Sequence, residues 1–327
     1  MTKRAVVAGA GGFLGHHLVR RLKAVGYWVR GVDVKPPQYV ESAADEFNTL
    51  DLREFASCVE ATSDVDEVYQ LAADMGGIGY ISEIRSDVAR NNVLIDTHML
   101  EASHHNRVAR YLFTSSACVY PIRRQNAPDV APLREEDAHP ADPEEGYGWE
   151  KLYAEKLCQY YTEEGKLDTR VVRLHNAYGP LGTFDGGREK APAAICRKVA
   201  LAEDGGEIEV WGDGEQTRSF MYADDCVEGL VRIMGADHRD PLNLGTEELV
   251  TVNELVDLVA DVAGKEIRKR YLLEKPQGVR GRNSDNARLR EVLGWEPQTS
   301  LAEGLRGTYA WIEAQLRARE ETSSAAR

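Results

Sequence analysis

Cysteine is scarce in this chain. The five present (Cys58, Cys118, Cys158, Cys196, Cys226) in 327 residues are scattered, odd in number and never spaced as CxxC. That gives no support to a disulfide framework or a zinc site, and it fits a reducing cytoplasm as the expected compartment. Runs of 18 apolar residues are absent, so no transmembrane helix is expected. Met1-Thr2-Lys3-Arg4 leads directly into a strand-like run without a secretory apolar region or cleavage site, and no leader is expected. An excess of positive charge is lacking too. Asp and Glu number 54 against 40 Lys and Arg, a formal net charge of −14, which argues against a nucleic-acid polymer as partner. Internal repeats and low-complexity linkers are also missing.

What is present is a large apolar fraction, 43 %, enough for a sizeable core. The length suggests about two domains, or one α/β unit with an appended lobe. Arg4–Ala8, Trp28–Asp33, Glu67–Ala72, Tyr111–Ser115 and Thr169–Leu174 read as strands. Between them, Phe13 to Leu22, Asn92–His105 and Tyr147–Tyr161 have helical periodicity. This alternation predicts a doubly wound parallel sheet of Rossmann type, covered on both faces. Past Leu174, Gly- and Pro-rich stretches read as loops. Thr251–Gly264 reads as a capped helix, 268–290 as basic and irregular, 301–319 as a last helix and 320–327 as a frayed tail. The expected division is 1–175 with a returning segment near 212–240 for the sheet domain, and 176–211 with 241–320 for a smaller C-terminal substrate lobe.

Gly9-Ala10-Gly11-Gly12-Phe13-Leu14-Gly15 follows the first strand and opens the first helix, with Gly9, Gly12 and Gly15 in GxxGxxG register. Such a turn lets backbone approach a pyrophosphate, which would sit on the free N–H groups where Phe13 and Leu14 begin the helix. Asp33, at the end of the second strand, is placed to accept from an adenosine ribose and to repel a 2′-phosphate, so NAD is the expected cofactor; its bland alternative is a strand-end cap. Asp51-Leu52 is either an adenine-edge contact or a helix N-cap.

Tyr147 and Lys151 stand four apart on a predicted helix, so phenol and ammonium share one face. A nearby cation lowers a phenol pKa and would make Tyr147 a usable base. Ser116 and Cys118 end a predicted strand, at the sheet edge where parallel sheets bind ligands. With the glycine loop and Asp33, these residues make the chain resemble the extended short-chain dehydrogenase/reductase family of nucleotide-sugar epimerases and dehydratases. AADMGGIG (72–79), SSACVYP (115–121), GGREKAPAA (186–194), WGDGEQTRSF (211–220) and GVRGRNSDN (278–286) are similar to its branch that inverts carbons 3 and 5 of a GDP-hexose.

That resemblance implies NAD-dependent epimerisation of GDP-mannose through a transient 4-ketone. Tyr147 would be the base, Lys151 its partner on the cofactor ribose, and Ser116 a hydrogen-bond partner of the C4 oxygen. Cys118 and Lys190 would be the acid/base pair at C3 and C5, the thiol with a depressed pKa. It implies substrate contacts from Met75, Gly76, Gly77, Asn176, Glu189 (orienting Lys190 or merely exposed), Lys198 and Gln216. Arg218 with Arg280 or Arg282 would take the diphosphate, Arg288 would be structural, and Asn253 is a further possible contact. A homodimer is expected through 92–105 and 147–161. The alternatives are a 3,5-epimerase of a GDP-heptose, a 4-epimerase or dehydratase, and a non-catalytic NAD sensor. Charge is uneven: 129–168 holds twelve acids against four bases, 268–290 eight bases against two acids, and 186–198 four bases against one. The asymmetry predicts a basic pocket for one small diphosphate.

Overall fold

Arg4–Ala8 (β1) is apolar on both of its faces because both are covered, and alternate residues leave in opposite directions: Val7 enters one core and Val6 another. In the computed structural model, which describes residues 2–76, 80, 83–275 and 277–325, β1 is near the middle of a seven-stranded parallel sheet. Its companions are Trp28–Asp33 (β2), Glu46–Thr49 (β3), Glu67–Gln70 (β4), Arg110–Ser116 (β5), Asp168–Leu174 (β6) and Leu242–Leu244. From one edge the order is Leu242–Leu244, β6, β5, β4, β1, β2, β3. Strand order reverses between β1 and β4, and the crevice outside their carboxyl ends is where such sheets hold ligands.

One face is covered by Phe13–Ala24 (α1) and Ala223–Gly235, through Leu18, Val19, Leu22, Val227, Leu230 and Ile233. The other is covered by Phe55–Ala61 (α2), Arg85–His105 and Tyr147–Glu163, through Cys58, Met99, Leu100 and Cys158. A third core joins Ala191–Leu201, Val252–Ala263 and Leu301–Ala325, through Val199, Val256, Val259, Leu305 and Ile312. This lobe rims the carboxyl edge of the sheet.

The structure departs from the sequence expectation in the second half. The returning segment runs past 240, because Leu242–Leu244 pairs with β6 and Leu289 of the helix Ala287–Leu293 enters the sheet core. Segment 268–290 is not irregular throughout. Arg268–Leu272 pairs in parallel with Glu207–Trp211, and Arg270 meets Glu207 at 3.1 Å across the ribbon. Its charged sequence hides the strand because the exposed face is held by opposite charge rather than by apolar alternation. The final helix reaches Ala325, six residues beyond the expected end.

Candidate active site

The site begins where β1 turns into α1. Gly9 has φ +84°, and a Cβ there would lie 2.9 Å from the Ala72 backbone nitrogen. A Cβ on Gly15 would lie 2.0 Å from the Gly9 carbonyl; only glycine lets the helix seat on its own entry turn. Gly12, the N-cap, supplies no side chain, so the first N–H groups of α1 face the turn unpaired. Asp33 accepts from the Gly11 N–H at 3.0 Å and the Lys35 N–H at 3.3 Å. Burial pushes its carboxyl above the usual range, against these backbone donors. Gly11, Gly12, Phe13, His16, Lys35 and Leu181 are among the residues lining the groove that this turn opens. The turn, its free N–H groups and Asp33 fit a dinucleotide. Asp51 is different: Arg53 holds its carboxylate at 2.6 Å, and Glu54, not Asp51, stands at the N-cap position of α2, where it makes no side-chain cap. The Leu52 side chain is buried in the core, so only backbone there is free to meet an adenine.

Tyr147 and Lys151 lie one turn apart on Tyr147–Glu163, with the Lys151 Nζ 5.7 Å from the phenol ring centre. Lys151 is 2 % exposed. Its Nζ lies 3.1 Å from Asp96 Oδ2, 3.8 Å from Glu150 and 4.8 Å from the Phe113 ring centre. Burial opposes its charge, but Asp96 and Glu150 outweigh burial and hold the ammonium above the ordinary lysine range. For Tyr147, burial raises the phenol well above its usual range and Lys151 only opposes this. The expected depression is therefore reversed, because desolvation of a phenolate outweighs one cation that two carboxyls already surround.

Ser116 ends β5, its Oγ accepting the Cys118 N–H at 3.2 Å. A Cβ at position 148 would lie 2.3 Å from the Cys118 carbonyl, so Gly148 is what lets the Tyr147 helix approach the Ser-Cys strand end. Arg282 Nη1 lies 3.6 Å from Cys118 Sγ, and its other nitrogens hold Gln125 and Glu144. The depressed thiol that the sequence suggested is not found: burial and Glu144 raise Cys118, and Arg282 only opposes them. Lys190 precedes the helix Ala191–Leu201 and reaches solvent, yet it stands in a cleft dense with protein, and burial lowers its ammonium. Cys118 is among the groups acting on it. Glu189 does not orient Lys190; it accepts from the Gly187 N–H at 2.7 Å and from Arg197 at 3.2 Å. Met75 packs beside Cys118 and Tyr147. A Cβ on Gly76 would crowd the Tyr80 ring at 2.9 Å, and Gly77 lies outside the described residues. The Arg188 guanidinium stacks 3.8 Å from the Tyr80 ring, whose hydroxyl donates to Asp74. Those contacts join the 72–80 and 186–194 stretches across the cleft.

Six of the eight bases in 268–290 are ion-paired, among them Arg280 with Asp213 at 3.0 Å, Arg282 with Glu144 and Arg288 with Glu136. The segment's excess charge is therefore spent on neighbouring acids rather than gathered in a pocket. Arg218, outside that segment, differs. It donates only to the carbonyls of Thr217, Gln277 and Val279, without a carboxylate partner among the described residues. Burial lowers it to about 10, with Arg282 adding to the effect. A desolvated, unneutralised guanidinium is matched to a phosphate oxygen. Gln216 donates to Trp211 O while its buried Oε1 has no partner. Lys198 donates to Glu209 O, Asn176 to Ser219 O, and Asn253 to Glu215. Asp96, Glu150 and Glu144, all in contact with catalytic candidates, carried no motif that sequence reading could use.

A family model described as the NAD dependent epimerase/dehydratase family matches residues 5–245. The GDP-mannose 3,5-epimerase 1 of Oryza sativa subsp. indica is 45 % identical over 315 residues, 96 % of this chain and 82 % of that protein. The GDP-mannose 3,5-epimerase of Arabidopsis thaliana is 45 % identical over 312 residues, covering 95 % and 82 %. Among solved structures, the UDP-glucose 4-epimerase of Thermotoga maritima with UDP-glucose superposes with a TM-score of 0.86 at 26 % identity, over 96 % of this chain and 99 % of that one.

Proposed function

The chain belongs to the NAD dependent epimerase/dehydratase family, and from that premise we propose that it epimerises GDP-mannose at C3 and C5, giving GDP-L-galactose and, when only C5 inverts, GDP-L-gulose. What supports this reading is that Cys118 packs with Tyr147 near Ser116 and Lys151 and is among the groups acting on Lys190, so a second pair of groups with acid/base chemistry accompanies the first. A 4-epimerase needs the first set alone. A 3,5-epimerase needs both.

The C–H protons at C3 and C5 become acidic only when C4 is a ketone, since the carbanion is then an enolate. Bound NAD supplies a hydride acceptor that later returns the hydride, so it is used catalytically. Gly9, Gly12, Gly15 and Asp33 would hold it. Tyr147 takes the C4 hydroxyl proton, and Ser116 donates a hydrogen bond to the resulting oxygen. Cys118 and Lys190, from opposite sides, remove and replace the proton at each neighbouring carbon. Tyr147 then returns its proton to the C4 oxygen as the hydride goes back to C4. Arg218 takes the diphosphate, with Arg280 further out beside Asp213. Arg282, held against Cys118, serves the sugar end.

We also infer a homodimer. Trp149, Tyr153 and Tyr160 are each about half exposed along one helix that neighbours Arg85–His105, an apolar stripe of the kind that marks a protein interface. No helix among the described residues is long and apolar enough to cross a membrane. All five cysteines are free and buried, which supports a reducing cytoplasm.

Incubation with GDP-mannose in D2O tests the assignment. Deuterium is expected at C3 and C5, and exchange at neither carbon sinks the proposal. Cys118→Ala and Lys190→Ala should each abolish exchange while NAD stays bound.

A further inference from the structure

Lys151 does not face its tyrosine alone. Asp96 comes from the middle of Arg85–His105, more than fifty residues away in sequence, and its carboxylate reaches the ammonium at 3.1 Å. Both side chains are almost wholly buried, 3 % and 2 % exposed. Asp96 is itself fixed, because its other oxygen accepts from Gln70 Nε2 at 2.9 Å, and Gln70 is the last residue of β4. Glu150 stands on the far side of Lys151 at 3.8 Å, held by Asn92 at 2.8 Å. The ammonium is thus clamped by two carboxyls, each tied to a second element. An ion pair this dry is costly unless its geometry is fixed and its remaining lone pairs are satisfied, and both conditions are met for Asp96.

We propose that Asp96 is a positioning residue for the redox step, holding Lys151 against Tyr147 and cancelling part of the charge by which Lys151 favours the phenolate. The proposal rests on the reading of Tyr147 as the base. The groups around Lys151 give its sign. Tyr147 and Glu150 lie on its own helix, with Cys158 and Glu155 further along it. Asp96 comes from the facing helix, and Tyr111, Phe113 and Cys118 from β5 and its end. Lys151 is the only cation among these. Each negative charge near it therefore makes Tyr147 harder to ionise. Burial pushes Glu150 up, Asp96 adding and Lys151 opposing, which favours its neutral form, and Asp96, nearer at 3.1 Å against 3.8 Å, is the carboxyl set closest against Lys151.

The test is the pH profile of kcat/KM for deuterium exchange in wild type, Asp96→Asn and Asp96→Asn/Glu150→Gln. The base must be deprotonated, so activity falls on the acid side. Removing the Asp96 charge is expected to move that limb down by about one pH unit. Adding Glu150→Gln should move it further, since Glu150 otherwise ionises in place of Asp96. Glu150→Gln alone should leave the limb near its wild-type position. A lower kcat with an unmoved limb in both Asp96 variants would reduce Asp96 to a packing role and overturn the proposal. Should Asp96→Asn fold poorly, Asp96→Ser removes the same charge with less bulk. A second readout is independent of the substrate: 15N-lysine NMR of the holoenzyme, with Lys151→Met to assign the signal. The Lys151 ammonium is expected to exchange its protons slowly in wild type and at least tenfold faster in Asp96→Asn. Equal exchange overturns the proposal even if GDP-mannose proves not to be the substrate, whereas absent deuterium exchange in wild type with the NMR difference intact sinks only the assigned reaction.

Discussion

Cys118 shows how much of a residue's chemistry comes from neighbours that carry no motif. Its thiol is raised by burial and by Glu144, and Arg282 pulls the other way while pairing with that same Glu144. Removing the carboxylate deletes a negative charge that favours the thiol and releases a guanidinium 3.6 Å from the sulfur. Both changes favour the thiolate. Glu144→Gln should therefore lower the Cys118 pKa, and below that pKa the rate of iodoacetamide alkylation at fixed pH should rise about tenfold for each unit lost. Peptide mapping against a Cys118→Ser control isolates this cysteine. An alkylation rate unchanged or slower in Glu144→Gln would mean that Glu144 does not set the charge at the sulfur. Tyr147 and Lys151 stood out in the sequence by a four-residue spacing on one helix, whereas Cys118 and Lys190 became candidates only through the family resemblance. The sequence could not make Asp96 or Glu144 legible. Their roles depend on a helix packing against another helix, and on a loop folding back over a strand end.

At the scale of elements, local signals were readable where the chain's physics is local. β1 and β2 match their expected bounds, since a strand buried on both faces is a continuous apolar run ended by Gly or Asp. The helix Val252–Ala263 follows its caps. Thr251 Oγ1 accepts the Glu254 N–H at 3.0 Å, Glu254 accepts the Thr251 N–H at 2.7 Å, and Gly264 closes the end at φ +64°. What escaped were elements defined by distant partners: β3, Leu242–Leu244, and the charged ribbon Arg268–Leu272. The helix at 252–263 packs its apolar face into the lobe core through Leu255, Val256 and Val259, so its capping box should be measurable. Thr251→Ala is expected to cost about 1 kcal/mol and to lower Tm by about 2 °C in calorimetry, with deuterium exchange at C3 and C5 unchanged. A Tm equal to wild type would show that water replaces the cap at no cost.

Across the whole molecule, the net charge of −14 conceals where it matters. The basic stretch is largely neutralised by its ion pairs, and Arg218, desolvated and without a carboxylate partner among the described residues, is the cation proposed to meet the diphosphate. The same acidity bears on assembly. Two copies of a −14 chain repel one another, so a stable pair must set a substantial apolar area against that repulsion, and salt should help by screening it. Trp149 and Tyr153 are four apart and Tyr160 lies two turns further on, which places all three near one face of Tyr147–Glu163. The opposite face of the same helix carries Tyr147 and Lys151, so the proposed interface and the site are built on one rigid element. Trp149→Glu/Tyr153→Glu puts two charges into that stripe without touching the buried face. In sedimentation velocity, wild type is expected to run as a dimer of about twice the 36.4 kDa chain mass, and the double variant as a monomer with unchanged far-UV dichroism. Lowering the salt should shift wild type towards monomer. A dimer that survives both charges puts the interface on another surface; a monomeric wild type at micromolar concentration removes the dimer altogether.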